Sequence, residues 1–227
     1  FTSGAPGGDG GPDKAVFVGP NGEGDYEAGW VMKLVEDDSD PAALTFAWDM
    51  FAVGGEPTDG GMGFANPDNL EFDPQGNLWI VTDMSTGTQN KAVPKRRVAA
   101  DQSLEGKDVL GIYGNNSLWQ IKREGDGAGE ASMFAYGPME SELTGPFFTE
   151  DGSTLFIAAQ HPGERNGVRK AMASETRKFE MKTTDGKTFL QKRDVPVGSN
   201  WPAKTENAPP KPSVVAIRRT ESSASIA

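Results

Sequence analysis

The sequence predicts an all-β protein, a partial β-propeller formed by the C-terminal blades of a larger, six-bladed ring with long polar insertions. Its 227 residues include 29 glycines and 16 prolines but few long apolar periodic runs, which favours short strands joined by turns. A hairpin pattern at residues 66–83 returns in variant form at residues 144–160, and such a return is a repeat signal. Each copy of this inner hairpin is accompanied by strands of a second, outer hairpin. The repeating unit is therefore an inner hairpin, a loop of variable length and an outer hairpin, as in a propeller blade.

The first half of the chain contains one hairpin of each kind. Residues 1–29 are rich in Gly, Asp and Pro and are predicted to be loop, with one short strand at residues 15–18. Residues 30–35 and 44–53 are predicted to pair as an antiparallel hairpin. In the inner hairpin that follows, a β-run ending at Phe72 and another beginning at Leu78 flank the turn sequence DPQG.

The second half repeats this order with longer insertions. Residues 84–107 are polar and are predicted to form a surface loop with a short helix. Strands are predicted at residues 117–123, 131–136 and 213–219, and the second inner hairpin lies between the last two. In the polar insertion at residues 161–212, residues 166–179 are the best helix candidate of the chain, although their apolar face is narrow.

These elements divide the chain into successive parts of a ring. They are a lead-in (1–29), an outer hairpin (30–53), a full blade (about 66–136), an incomplete blade (about 142–219) and a disordered tail (220–227). The last blade is one strand short, and a strand from the other end of a longer chain would complete it. We therefore expect a C-terminal part of a larger ring. A β-sandwich is the alternative, but the repeat is long and regular in content for that fold.

Charge and composition restrict the kinds of partner. The formal net charge of -11 disfavours nucleic acid and acidic membrane surfaces, and it favours cations. There is no Cys, and a single His rules out a multi-histidine zinc site within this chain. Any metal held by these residues would be a hard cation with oxygen ligands. No apolar stretch is long enough to span a bilayer.

Two carboxylates occupy equivalent positions of the two inner hairpins. Asp68 and Glu142 each stand directly before the predicted innermost strand, at the mouth of the central channel. Carboxylates from adjacent blades repel each other there unless a cation neutralises them, so the pair predicts a calcium-type metal site. A turn cap is the alternative explanation of Asp68.

Other polar residues are weaker candidates for metal ligands. Asn115 and Asn116 offer side-chain oxygens, although paired asparagines before a strand also form turns. Glu164 closes the run QHPGE, in which His161 is either a ligand, an acid or base, or a turn residue. Asp83 ends the first inner hairpin at the equivalent place and allows the same alternatives.

An ordered series of motifs resembles the PhoX-type alkaline phosphatases over nearly the whole chain. The series comprises FANPDNL (64–70), YGNN (113–116), ELTGP (142–146), DGSTLF (151–156), QHPGE (160–164) and PPKPSVVAIRR (209–219). The resemblance implies a monomeric β-propeller enzyme that is exported by the twin-arginine route to the periplasm or cell exterior and hydrolyses small-molecule phosphate monoesters.

The same resemblance implies a metal cluster of calcium and iron. Asp68 and Glu142 match positions where acidic metal ligands are expected. The family binds iron partly through a Cys, which this sequence lacks, so we expect that ligand outside the chain. The resemblance assigns no catalytic residue, and the fragment alone is expected to be inactive. The competing hypotheses are a calcium-dependent propeller lactonase or esterase, and a non-catalytic propeller that binds a partner.

Overall fold

A computed structural model describes residues 19–20, 28–55, 57, 60–90, 109–110, 114–182 and 188–218. For residues 109, 110, 180–182, 188 and 190 it describes the backbone alone. Within this part of the chain there are twelve β-strands, two short 3-10 turns (Asp37–Ser39 and Lys170–Met172) and no α-helix. The predicted strand at residues 15–18 and the tail at residues 220–227 lie outside the described residues.

The strands follow one another closely along the chain. They are β1 (Trp30–Glu36), β2 (Phe46–Val53), β3 (Pro67–Phe72), β4 (Leu78–Thr82), β5 (Val109–Leu110), β6 (Ser117–Ile121), β7 (Ala131–Tyr136), β8 (Glu142–Phe148), β9 (Thr154–Gln160), β10 (Ser174–Lys182), β11 (Thr188–Pro196) and β12 (Ser213–Arg218).

The strands form four small sheets of mainly antiparallel strands. β1 and β2 pair with each other, and the next sheet has four strands in the order β3-β4-β6-β7. A third sheet has the order β12-β9-β8, so both predicted inner hairpins are present. The fourth sheet, β11-β10-β5, includes a short parallel pairing between β10 and β5. The all-β prediction is confirmed.

The helix predicted at residues 166–179 is wrong. Its first part contains only the 3-10 turn at Lys170–Met172, and its last part belongs to β10, which pairs with β11 in continuous register from Ser174↔Pro196 to Lys182↔Thr188. The segment has helix-favouring Arg, Lys, Glu and Met residues, but only a narrow apolar stripe. Burial of Phe179, which is 0% exposed and lies under the Arg193 guanidinium at 5.0 Å, favours the strand over the local propensity.

The core is arranged around β4, which is buried on both faces. Leu78 and Ile80 pack toward the β1-β2 side with Val31, Phe64 and other apolar residues. The alternate residues, Trp79 and Val81, pack with the third sheet in a cluster that contains Leu118, Leu143, Phe148, Leu155, Ile157 and Ala159. Because side chains alternate across a strand, β4 joins three consecutive sheets into one stack.

Candidate active site

The open ends of the two inner hairpins lie side by side and carry the candidate residues. Asp68 is the second residue of β3, and Asp83 follows the last residue of β4. Glu142 is the first residue of β8, and His161 follows the last residue of β9. In each hairpin the residues at the open end pair with each other, Pro67 with Thr82 and Glu142 with Gln160.

A side-chain hydrogen bond and a backbone hydrogen bond hold the two hairpins together next to these residues. Asn69, the neighbour of Asp68, accepts a hydrogen bond at Oδ1 from the Thr144 hydroxyl. The same oxygen accepts one from the Gly145 N–H at 2.9 Å. Because these donors belong to β8, they fix β3 against the strand that begins with Glu142.

Both carboxylate oxygens of Glu142 have a partner on the adjacent strand or loop. The Gln160 Nε2 donates to Oε1 at 3.3 Å, and the His161 Nε2 lies 3.3 Å from Oε2. The Nδ1 of His161 lies 3.9 Å from Oε1 of Glu164. The imidazole thus stands between two carboxylates, and it sets the orientation of Glu142.

The carboxylates of this cluster disfavour one another's charged forms. The pKa of Asp83 is raised, first by partial burial and then by the negative charges of Asp68 and Glu164, while His161 acts in the opposite direction. The pKa of Glu142 is raised by partial burial and by the charges of Asp83 and Asp68, against the hydrogen bond from His161. Despite this partial burial, the Asp83 residue as a whole has a large accessible surface. Solvent therefore screens part of the repulsion between its carboxylate and the others. Such a gathering of negative charge is suited to a cation.

The donors fit a hard cation in their chemistry but are not assembled as a complete site. Asp68, Asp83, Glu142 and Glu164 supply oxygen ligands, which Ca²⁺ prefers. Among the described residues, however, no three side chains of His, Cys, Asp or Glu form a group that could hold a metal ion. The carboxylates interact electrostatically without converging on one point. The sequence has no Cys for a thiolate bond to iron.

Comparison with known proteins identifies the family. A family model described as alkaline phosphatase PhoX matches residues 8–163, which is more than half of the chain. The chain belongs to the PhoX alkaline phosphatase family. A solved structure of Pseudomonas fluorescens PhoX in complex with vanadate, a transition state analogue, matches with a TM-score of 0.57 and 30% sequence identity. The match covers 93% of this chain and 29% of that chain. No curated protein matches.

The PhoX match, together with the sheets described above, confirms the predicted fold class of an all-β, partial β-propeller. The division of the chain into blades remains a prediction. No helix in the described part of the chain combines the length and apolar character needed to cross a membrane.

In this PhoX-family chain the two candidate asparagines have protein partners. Asn115 is half-buried, accepts a hydrogen bond from Asn90 Nδ2 at 2.9 Å and donates to the Gly137 carbonyl at 3.1 Å. Asn116 is completely buried, and both its amide oxygen and its amide nitrogen form hydrogen bonds with the protein. Both lone pairs of the Asn116 oxygen are used by protein donors, whereas the Asn115 oxygen accepts one hydrogen bond and stays a candidate ligand.

The loop after β9 is held by a residue that the sequence did not single out. Glu140 is buried, and its Oε2 accepts the Arg165 N–H at 3.2 Å and the Asn166 N–H at 2.8 Å. Its Oε1 accepts a hydrogen bond from the Asn166 Nδ2 at 2.5 Å. These contacts tie the loop that bears His161 and Glu164 to the segment that leads into β8. No local motif in the sequence marks Glu140 for this purpose.

Proposed function

We propose that this chain is the C-terminal part of a longer, metal-dependent alkaline phosphatase that hydrolyses small-molecule phosphate monoesters. The observation that carries the proposal is the PhoX family match over residues 8–163, because this range contains Asp68, Asp83, Glu142 and His161. The similar Pseudomonas protein was solved with vanadate, a transition state analogue. This chain spans 29% of the length of that protein, which supports the proposal that further blades complete the enzyme.

Asp68, Glu142 and Asp83 are the residues that we propose as ligands of Ca²⁺, with Glu164 as a further oxygen donor. Their mutual repulsion provides the reason, since partial burial and then the negative charge of neighbouring carboxylates raise the pKa values of Asp83 and Glu142, and a cation would neutralise that charge. Iron, if the enzyme uses it, would take its Cys ligand from outside this chain. The remaining ligands would come from the missing blades.

The chain's own residues would orient the site and leave the attack on phosphorus to a water-derived nucleophile. A bound cation would supply neutralisation of phosphate oxygens and a lower pKa for a water molecule attacking in line. Gln160 and His161 would keep the Glu142 carboxylate turned into the cluster, because each contacts one of its oxygens. We assign neither nucleophile nor general base to these residues. The fragment alone should be inactive.

The family also supports proposals about the protein's setting. We propose that the enzyme acts as a monomer in the periplasm or outside the cell after twin-arginine export, and that it binds neither nucleic acid nor membranes. The formal net charge of -11 agrees with the last point, because both of those partners are attracted by positive potential.

The test uses the longer protein that carries this chain. Wild type should hydrolyse p-nitrophenyl phosphate in a Ca²⁺-dependent manner. Glu142→Gln and Asp68→Asn should each lower the activity at least about 10-fold, because losing a metal ligand costs no less than losing a residue that only hydrogen-bonds a ligand. Glu150→Gln is the control, since Glu150 is exposed in the turn of the second hairpin. Hydrolysis of a lactone without hydrolysis of a phosphate ester would overturn the proposal, as would unchanged activity in both ligand variants.

A further inference from the structure

The completely buried side chain of Asn116 forms four hydrogen bonds just outside β6. Its Nδ2 donates to the Met84 carbonyl at 3.0 Å and to the Ser141 carbonyl at 2.9 Å. Its Oδ1 accepts from the Thr82 hydroxyl at 3.0 Å and from the Met84 N–H at 2.6 Å. These partners lie at the ends of strands from two sheets, since Thr82 ends β4 and Ser141 directly precedes β8.

Chemistry permits only one orientation of this amide. A backbone N–H requires an acceptor and a carbonyl requires a donor, so the oxygen of Asn116 must face Met84 N and the nitrogen must face the two carbonyls. Gln89 adds a second amide to the same carbonyls, with Nε2 donating to Met84 O at 3.1 Å and to Ser141 O at 3.2 Å. All five residues are buried, so water cannot replace a lost bond.

The partners of Asn116 flank both central carboxylates of the candidate site. Asp83 lies between Thr82 and Met84, and Glu142 follows Ser141 directly. We propose that Asn116 is a positioning residue that fixes the backbone of Asp83 relative to that of Glu142, so that both carboxylates can serve one cation. This role deepens the proposed function and rests on it.

A fixed backbone matters here because the two side chains carry like charges. Their repulsion would drive the ends of β4 and β8 apart, and the Asn116 amide links those ends by hydrogen bonds to both. The prediction that Asn116 is itself a metal ligand offers a different role for the same residue. Its Oδ1 already accepts two hydrogen bonds, and it has no further lone pair to offer a cation.

The two roles predict opposite effects of substitution. Asn116→Leu removes all four hydrogen bonds at similar volume, and Asn116→Asp removes the two donors while adding a carboxylate. A ligand role predicts equal or tighter Ca²⁺ binding by Asn116→Asp, whereas the positioning role predicts weaker binding by both variants. Gln89→Met removes only the second amide and should produce a smaller effect in the same direction.

Asn200→Leu is the matched control. Asn200 is also buried, and its Nδ2 also donates to two carbonyls, those of Arg169 at 3.1 Å and Ala208 at 3.0 Å. It has no hydrogen bond to Asp83, Glu142 or their neighbours, so Asn200→Leu should reproduce the loss of two buried donor bonds without disturbing the cluster.

The experiment combines calorimetric Ca²⁺ titration of the longer protein with hydrogen exchange of the Met84 amide in the metal-free protein. Asn116→Leu should raise the Ca²⁺ Kd about 10-fold and accelerate Met84 exchange by a similar factor, which corresponds to the loss of roughly one to two net hydrogen bonds. Asn200→Leu should leave both values within about twofold of wild type. Wild-type Ca²⁺ affinity in Asn116→Leu, or tighter binding in Asn116→Asp, would overturn the proposal.

The two readouts separate this proposal from the proposed function. If the wild-type protein binds no Ca²⁺, the proposed function fails on that result. Met84 exchange then still decides whether Asn116 fixes this backbone, because it is measured without metal. An unchanged Met84 exchange rate in Asn116→Leu refutes the positioning role. Faster exchange that extends to the Asp83 amide, which donates to the Asn66 carbonyl at 2.9 Å and not to Asn116, supports the role if Asn200→Leu does not share it.

Discussion

Asp73 provides the sharpest test of how the first inner hairpin is stabilised. Its Oδ1 accepts the backbone N–H groups of Gln75 at 2.9 Å and Asn77 at 2.8 Å. Its Oδ2 accepts the Asn77 Nδ2 at 2.9 Å, the Trp79 Nε1 at 2.8 Å and the Gln120 Nε2 at 3.4 Å. The carboxylate, which is buried, thus joins the turn to the core and to β6.

Every partner of Asp73 is a donor, so no neutral amide can replace the carboxylate. In Asp73→Asn the new NH₂ group would face either the backbone donors or the side-chain donors. Trp79, which is 1% exposed, cannot turn to water for a substitute, and a buried unpaired donor costs about 1–3 kcal/mol. Asp73→Asn loses one or two charge-assisted bonds and Asp73→Ala loses all five, and we expect each to lower the free energy of unfolding by about 3–5 kcal/mol.

The pH dependence provides a second observable. Burial would raise the pKa of Asp73, but the hydrogen bonds from Trp79, Asn77 and Gln120 outweigh it and lower the pKa below the ordinary 3.8. A group with a depressed folded-state pKa stabilises the fold above its unfolded pKa, and this contribution is lost as the pH falls through the folded-state value. The stability gap between wild type and Asp73→Asn should therefore be full at pH 7 and shrink below about pH 3.8.

Urea unfolding followed by circular dichroism measures both effects. Asp151→Asn is the matched control because Asp151 occupies the turn of the second hairpin, is exposed, and has a pKa lowered to about 2 by hydrogen bonds from Thr149 and Ser153. Its substitution should cost much less, since water can reach those donors. Equal losses in Asp73→Asn and Asp151→Asn, or a loss below about 0.5 kcal/mol in Asp73→Asn, would refute the argument from burial.

Two further substitutions test close packing and the loop beside the site. Gly54→Ala should lower the free energy of unfolding by about 1–3 kcal/mol in thermal denaturation, because a Cβ there would lie 2.4 Å from the Ala28 carbonyl oxygen. Gly87→Ala, where the nearest atom is 3.6 Å away, should change it by less than about 0.5 kcal/mol, and equal effects would contradict the packing argument. Glu140→Gln should reduce phosphatase activity of the longer protein, because its NH₂ would face the Asn166 donors that now bind both carboxylate oxygens. Adding Asn166→Asp restores one donor-acceptor pair and should recover part of the activity. If the double variant recovers none, Glu140 does not act through its hydrogen bonds to the loop.

Local signals were sufficient for the inner hairpins. Residues 78–82 read LWIVT, every one of them is buried, and the turn ahead of them contains Pro and Gly. The β propensity, the apolar character and the turn chemistry all favour the same structure there, which is the condition under which sequence patterns succeed. The prediction of the other two strands of the four-stranded sheet succeeded because β6 and β7 carry similar signals around a Gly-rich turn.

The insertion between β9 and β12 gave the opposite result. Residues 174–182 read SETRKFEMK, a composition that favours a helix when no neighbour is considered. The pairing with β11 and the burial of Phe179 under the Arg193 guanidinium depend on residues farther along the chain. The helix prediction failed because a strand that is stabilised by residues distant in the sequence has no local sequence signature.

The candidate site shows the same limit at the level of single residues. Asp68 and Glu142 were predicted as ligands because the repeat places each at the start of an inner strand, and the register pairs Pro67 with Thr82 and Glu142 with Gln160 at the open ends of the two hairpins. That register also brings the residues after the second strands, Asp83 and His161, to the same rim. The repeat therefore predicts positions, while the side chains that hold them in place, such as Asn116, belong to no repeat. Their partners come from two different sheets, and only the folded chain brings those partners together.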